Sequence, residues 1–249
     1  MCGRYVMARA VGDLLAEFDA QLEEDLEVPP SWNVAPTDPV PIVLERLIDG
    51  GTVRQLHVAR WGLVPSWAKD PRIGSSMINA RSETVLEKPA FRKAIKSRRC
   101  AVPADGYYEW KQGTGKAKQP YYVHPGEGRG LVFAGLYEWW KGPSKAEGGP
   151  GRWMLSTSFL TTDTPPPGSE STVFGKLTEL HDRVPLPMGK EAMEAWLDPE
   201  VDDAAALVDL VRSGVKDVAA DWRVDSVGPA VGNVRNNGPE LIQPVEALF

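Results

Sequence analysis

Cysteine at position 2 is where this sequence first offers chemistry. Methionine aminopeptidases remove Met1 when the next residue is small, which leaves Cys2 with an α-amine of pKa ~8 and a thiol of pKa ~8.5 on adjacent carbons. Such a 1,2-aminothiol condenses with an aldehyde through its amine to give an imine, and the sulfur then closes a thiazolidine ring on the imine carbon. The bland alternative is an ordinary second residue that happens to be cysteine. Glu109 lies within Asp105-Gly106-Tyr107-Tyr108-Glu109-Trp110, where a carboxylate among aromatics is costly unless paired or functional. It can take a proton from a nearby amine, or it can close a buried ion pair with one of the many arginines. His181, in Leu180-His181-Asp182-Arg183-Val184-Pro185, is one of three histidines. Its reference pKa of about 6.5 suits a proton shuttle that Asp182 and Arg183 could orient, and it equally suits a hydrogen-bonded turn residue. Asn33 and Asn79 can each hold a sugar hydroxyl or fix an N-terminal amine, or simply form an Asx turn, while Arg81 can fork onto a phosphate.

The remaining candidates narrow the field by what they lack. Cys2 and Cys100 are the only cysteines, and His57, His124 and His181 the only histidines, with no CxxC and no Cys/His cluster. No disulfide, metal or cofactor is expected. Cys100 falls in an apolar strand-like run and reads as a buried thiol. The formal net charge of −6 argues against a nucleic-acid partner when taken as one number. Its distribution reverses that argument. Between Arg54 and Lys118 there are fourteen basic residues against five acidic ones, and the same section carries Trp61, Trp67 and Trp110. A cationic track with stacking aromatics is the composition of a single-stranded nucleic-acid groove, although a solvated basic face over a Trp-rich core has it too.

The elements that must position these groups are short and mostly extended. The 249 residues, 42% hydrophobic and 25% charged, suit a single domain over 1–249. Acidic residues such as Asp13 and Glu17 interrupt every apolar run before the ~20 residues of a membrane span or a signal core, so a cytoplasmic protein is expected. From Ala8 to Leu22 the spacing of Val11, Leu14, Leu15, Phe18 and Leu22 predicts an amphipathic helix. Ile42 to Leu44, Thr52 to Trp61, Cys100 to Pro103, Gly106 to Trp110, Tyr121 to Val123, Leu131 to Leu136 and Trp153 to Thr157 read as strands. Asn79 to Thr84 reads as a loop, and Lys88 to Ser97, Glu191 to Trp196 and Asp203 to Val211 read as helical. The stretch from Lys141 to Gly151 reads as a surface loop. Together these predict an α+β fold of mainly antiparallel, barrel-like sheet with peripheral helices. No GxGxxG or GxxxxGK[ST] occurs, which removes the common nucleotide-binding folds.

Taken in order, Met1-Cys2-Gly3-Arg4-Tyr5, Asn33-Val34-Ala35-Pro36, Trp61-Gly62-Leu63-Val64-Pro65 with Trp67, Ile78 to Thr84, Asp105 to Trp110, His181 to Pro185 and Val231-Gly232-Asn233-Val234-Arg235-Asn236 resemble the SRAP (SOS-response-associated peptidase) domain family. The pieces span residues 1 to about 244. The resemblance implies abasic-site processing, in which Cys2 forms a thiazolidine with the ring-opened aldehyde of an abasic deoxyribose in single-stranded DNA. It implies that Asn79 positions the sugar, that Glu109 assists the amine and imine, and that His181 acts as acid/base in ring opening and in reversal of the crosslink. Arg4, Arg81 and Arg183 would hold flanking phosphates, Trp67 and Trp110 would pack on bases or sugar, and Asn33 would join the DNA contacts. It further implies weak lyase activity, loss of Met1 by self-cleavage or aminopeptidase, a monomer without metal, and association with the nucleoid on damaged DNA.

Two other classes fit part of the pattern. Class II glutamine amidotransferases also begin Met-Cys-Gly, but their further glutamine-site pattern is missing and a basic Trp-bearing groove has no use in binding glutamine. A module that reads single-stranded or modified DNA without chemistry would leave Cys2 incidental.

Overall fold

The computed structural model describes residues 2–22, 28–113, 118–126, 129–142, 151–166 and 172–247. In chain order the elements are β1 (Tyr5–Met7), α1 (Val11–Phe18), β2 (Gln21–Leu22), β3 (Ser31–Val34), β4 (Pro39–Ile48), β5 (Gly51–Trp61), β6 (Asn79–Arg81), α2 (Ala94–Ser97), β7 (Arg99–Ala104), β8 (Gly106–Gln112), β9 (Lys118–His124), β10 (Leu131–Lys141), β11 (Trp153–Asp163), α3 (Thr172–Leu180), β12 (Arg183–Pro185), α4 (Lys190–Leu197), α5 (Ala204–Ser213), α6 (Val215–Ala219) and β13 (Arg223–Ser226). Strands β11, β10, β7, β4 and β5 pair antiparallel in series, and a parallel pairing of Arg60 and Trp61 with Ser156 and Thr157 returns β5 to β11 and closes a five-stranded barrel. A second antiparallel sheet runs β13-β9-β8-β1-β3. The expected α+β, mainly antiparallel and barrel-like architecture is therefore present, with β2–β5 and β6–β11 as further parallel pairs.

Local sequence explains most boundaries. The β4–β5 hairpin turns at Asp49 and Gly50, both at positive φ (50° and 82°), the conformation that an Asp-Gly pair favours. Pro39 and Pro41 lie at the start of β4, ahead of Val43 where β7 joins, so their missing N–H groups interrupt no ladder on that side. Two expectations need correction. The helix over 8–22 is confined to Val11–Phe18, because Asp19 turns left-handed (φ 49°) and donates its N–H to Leu15 O, freeing Gln21 and Leu22 to pair with β5. The helix over 88–97 is α-helical only at Ala94–Ser97; Pro89 disfavours helix at Lys88, and turns fill the interval. Most of the expected loop at 141–151 lies outside the described residues.

The two sheets meet over an aromatic cluster. Tyr5 of β1 lies edge-on to Trp61 of β5 at 5.1 Å between ring centres, and Trp61 stacks on Phe159 of β11 at 5.4 Å. All three are fully buried, and such pairs add about 0.5–1.5 kcal/mol each beyond the area they bury. This cluster is the floor beneath the candidate site.

Candidate active site

Register brings the N-terminus to Glu109. Tyr5 pairs with Tyr107 and Val6 with Gly106, and the N–H of Tyr108 donates to Arg4 O at 2.9 Å, so the antiparallel ladder runs residues 2–4 past Tyr108 and Glu109. Cys2 is 1% exposed and its S–H donates to Arg4 O at 3.6 Å. Burial raises the thiol pKa well above its ordinary value, and the charge of Glu109 raises it further. Glu109 is itself 5% exposed. Burial pushes its carboxyl up to about 7, with the charge of Asp182 adding to the shift. A carboxyl so placed exchanges protons at neutral pH.

Asn79 arrives from the barrel. Its strand β6 pairs in parallel with β11, Asn79 opposite Phe159, and its Nδ2 donates to Cys2 O at 2.7 Å. Its Oδ1 is buried and accepts no hydrogen bond from any described residue. The position of β6 is fixed by Trp61, whose indole N–H donates to Ile78 O at 3.0 Å. Sequence reasoning placed Asn79 in a loop and gave Trp61 no task in the site. Three residues of parallel strand have no periodicity to detect, and the Trp61 bond spans seventeen residues.

His181 follows the end of α3, its N–H bonded to Leu177 O at 3.0 Å. Helix α3 is tied to β8 by Lys111 Nζ donating to Glu179 Oε2 at 2.8 Å, two residues beyond Glu109 on one side and two before His181 on the other. Nδ1 of His181 lies 2.6 Å from Asp182 Oδ1 and 3.0 Å from the Arg183 N–H. It can donate to the carboxylate or accept from the amide, not both, so the pair offers two tautomers of the imidazole. Burial lowers the His181 pKa below its ordinary value, which keeps the ring neutral at pH 7.

The expected phosphate and base contacts divide. Arg4 is half-buried, its guanidinium 6.0 Å from the Trp110 ring centre, with Nη1 donating to Asn33 Oδ1 at 2.9 Å and Val231 O at 3.1 Å. Arg81 is exposed on β6, and Trp67 is 58% exposed. The Trp67 loop leaves and returns to one edge of β11, pinched where Gly62 (φ 122°) meets Gly74: a Cβ on Gly62 would fall 2.4 Å from Gly74 O. Trp140 Nε1 holds the loop at Ala68 O, 2.7 Å away.

Two residues depart from expectation. Asn33 is 3% exposed and its amide nitrogen donates to Val231 O, Asn233 O and Asn236 O, so it secures a loop of this chain rather than facing a strand. Arg183 is buried, bonded to Asp163 Oδ1 at 2.6 Å, Glu83 Oε2 at 2.9 Å and Thr161 O at 2.7 Å. Its guanidinium joins the segment after β6 to β12 across β11 instead of presenting itself to phosphate. No group of three or more His, Cys, Asp or Glu among the described residues could hold a metal ion, and no helix there is long and apolar enough to cross a membrane.

Cys2 is thus buried where the barrel meets the second sheet, with the Asn79 amide on its carbonyl and the Glu109 carboxyl in its field. Residues 1–234 match the SOS response associated peptidase (SRAP) family, and the chain belongs to that family. It is 37% identical over 98% of its length to the abasic site processing protein YoqW of Bacillus subtilis, covering 99% of that protein. It is 30% identical to the abasic site processing protein YedK of Escherichia coli, covering 98% and 100% of the two chains. It is also 32% identical to the rat abasic site processing protein HMCES, over 88% of this chain and 66% of that one. Among solved structures, a Bacteroides thetaiotaomicron protein shares the fold at TM-score 0.76 and 23% identity, covering 98% of this chain and 100% of the other. A phage-related protein from Bordetella bronchiseptica matches at TM-score 0.63 and 28% identity over 91% and 94%.

Proposed function

We propose that this protein processes abasic sites in single-stranded DNA by covalent capture through Cys2. The observation that carries the reading is the pairing of Cys2 with Asn79 at 2.7 Å beside a Glu109 carboxyl pushed up to about 7. The relatives named above as abasic site processing proteins support the same substrate.

Removal of Met1, by an aminopeptidase or by the chain itself, turns the amide nitrogen of Cys2 into a primary amine. That amine adds to C1 of the ring-opened deoxyribose to give a carbinolamine. Glu109 takes a proton from the nitrogen and returns one to the hydroxyl, which leaves as water, and an imine remains. The sulfur then adds to the imine carbon, its proton passes to nitrogen, and the thiazolidine is closed. Asn79 fixes the Cys2 carbonyl, and its open Oδ1 is left to accept a hydrogen bond from the sugar. Neutral His181 takes the proton of the C1 hydroxyl as the closed sugar opens, and the imidazolium so formed returns it to the ring oxygen; the same acid/base pair serves reversal. The imine also permits β-elimination at the sugar, a weak lyase activity. Arg81, Arg4 and the Trp67 and Trp110 rings serve the flanking strand.

Mixing the purified protein with a single-stranded oligonucleotide bearing one abasic site should give a denaturant-resistant shifted band. Absence of the band, or its persistence in Cys2→Ala, rules the reading out.

A further inference from the structure

The segment after β13 carries a motif that the chemistry above leaves without a task. Residues 232–236 form a mostly exposed loop, and the body of the protein grips backbone carbonyls within it and at Val231 just before it. Asn33 donates to Val231 O at 3.3 Å, Asn233 O at 3.1 Å and Asn236 O at 2.8 Å. Arg4 donates to the same Val231 O, and Asn237 Oδ1 accepts from the Trp32 N–H at 2.7 Å. Within the loop, Asn233 Oδ1 accepts from the Arg235 N–H at 3.1 Å, which holds the turn at its tip. The tip presents Val234, 55% exposed, and an exposed Arg235 with no ion-pair partner among the described residues.

A loop held by one buried amide at Val231 O, Asn233 O and Asn236 O, and by Asn236 Nδ2 donating to Ala230 O at 2.8 Å, keeps a definite shape while the Val234 and Arg235 side chains stand exposed. It is anchored on Arg4, whose guanidinium stands over Trp110. An exposed cation and an exposed apolar side chain on a fixed backbone are the pair that a nucleic-acid strand uses, the cation for a phosphate and the apolar group for sugar or base. We infer that residues 232–236 form one wall of the strand-binding groove, with Arg235 holding a phosphate and Asn33 acting as the positioning residue that shapes the loop. The inference rests on the proposed capture of single-stranded DNA.

The test is fluorescence anisotropy with an undamaged labelled single strand over a series of salt concentrations, with crosslinking to the abasic oligonucleotide measured in parallel. Arg235→Ala is expected to weaken binding roughly five- to tenfold at low salt and to reduce the salt slope by about 0.7, the value for one phosphate on a single strand. Arg235→Lys should restore most of both. Asn33→Asp keeps the acceptor for Arg4 but loses the donor to the three carbonyls; it should reproduce the Arg235→Ala loss, and the double variant should lose no more. Binding and slope of Arg235→Ala equal to those of wild type and of Lys190→Ala, a control cation on α4, overturn the inference while crosslinking by wild type leaves the function standing. Failure of wild type itself to bind or crosslink overturns the function first.

Discussion

Asn79 and Cys2 lie 77 residues apart in the chain and are joined by a 2.7 Å bond from the Asn79 amide to the Cys2 carbonyl. That bond ties the N-terminus to the barrel wall at the point where β6 meets Phe159 of β11. Replacing Asn79 with Ala removes the tether and the open acceptor together. Single-turnover crosslinking should slow by about 100-fold, the range for loss of a group that orients reactants, while thermal stability falls by only about 1 kcal/mol. Asn79→Asp should be at least as slow, since its carboxylate faces the Cys2 carbonyl without a donor.

Glu109 predicts a pH dependence with a definite sign. Its folded-state pKa of about 7 lies above the ordinary 4.5. The stability it contributes is fully present below about pH 4.5 and is lost as pH rises through about 7, about 3 kcal/mol in all. Glu109→Gln should therefore unfold at a higher temperature than wild type at pH 8, with the difference shrinking toward pH 5. Its crosslinking rate should be low and should lose the inflection near pH 7 that wild type shows.

Arg183 was expected on DNA and is found between Glu83 and Asp163. Arg183→Ala should lower stability by about 1–3 kcal/mol, as removing a buried guanidinium that bonds Thr161 O and two partly exposed carboxylates does, and leave the salt slope of strand binding unchanged. Thermal unfolding and anisotropy separate the two roles directly.

This residue also shows what a sequence reveals and what it withholds. Strands β5 and β7 to β11 were legible because β-branched and aromatic residues recur there between Gly-rich or Pro-bounded turns. Cys2, Glu109 and His181 were legible as chemistry because their types are rare or costly where they stand. What a single pass cannot reveal is who consumes whom: Asn33 spends its amide on carbonyls about 200 residues away, and Arg183 meets Glu83 across 100 residues. The same limit hid β6, a strand only because β11 accepts it.

Gly62→Ala tests the frame of the Trp67 loop. The substitution places a Cβ at positive φ and 2.4 Å from Gly74 O, so the loop must shift. A loss of about 2–4 kcal/mol is expected, with weaker strand binding that Trp67→Ala reproduces without the loss of stability. Denaturant unfolding and anisotropy on the two variants give the comparison.

The central claim is that amine and sulfur of one residue, Cys2, both end on the same sugar carbon. Digesting the purified crosslink with trypsin and a nuclease and reading the N-terminal peptide by mass spectrometry tests it most directly. The account predicts a peptide Cys2-Gly3-Arg4, lacking Met1, that carries the deoxyribose remnant and resists alkylation at sulfur. A remnant on a lysine, or a Cys2 sulfur that alkylates fully in the crosslinked peptide, would contradict it.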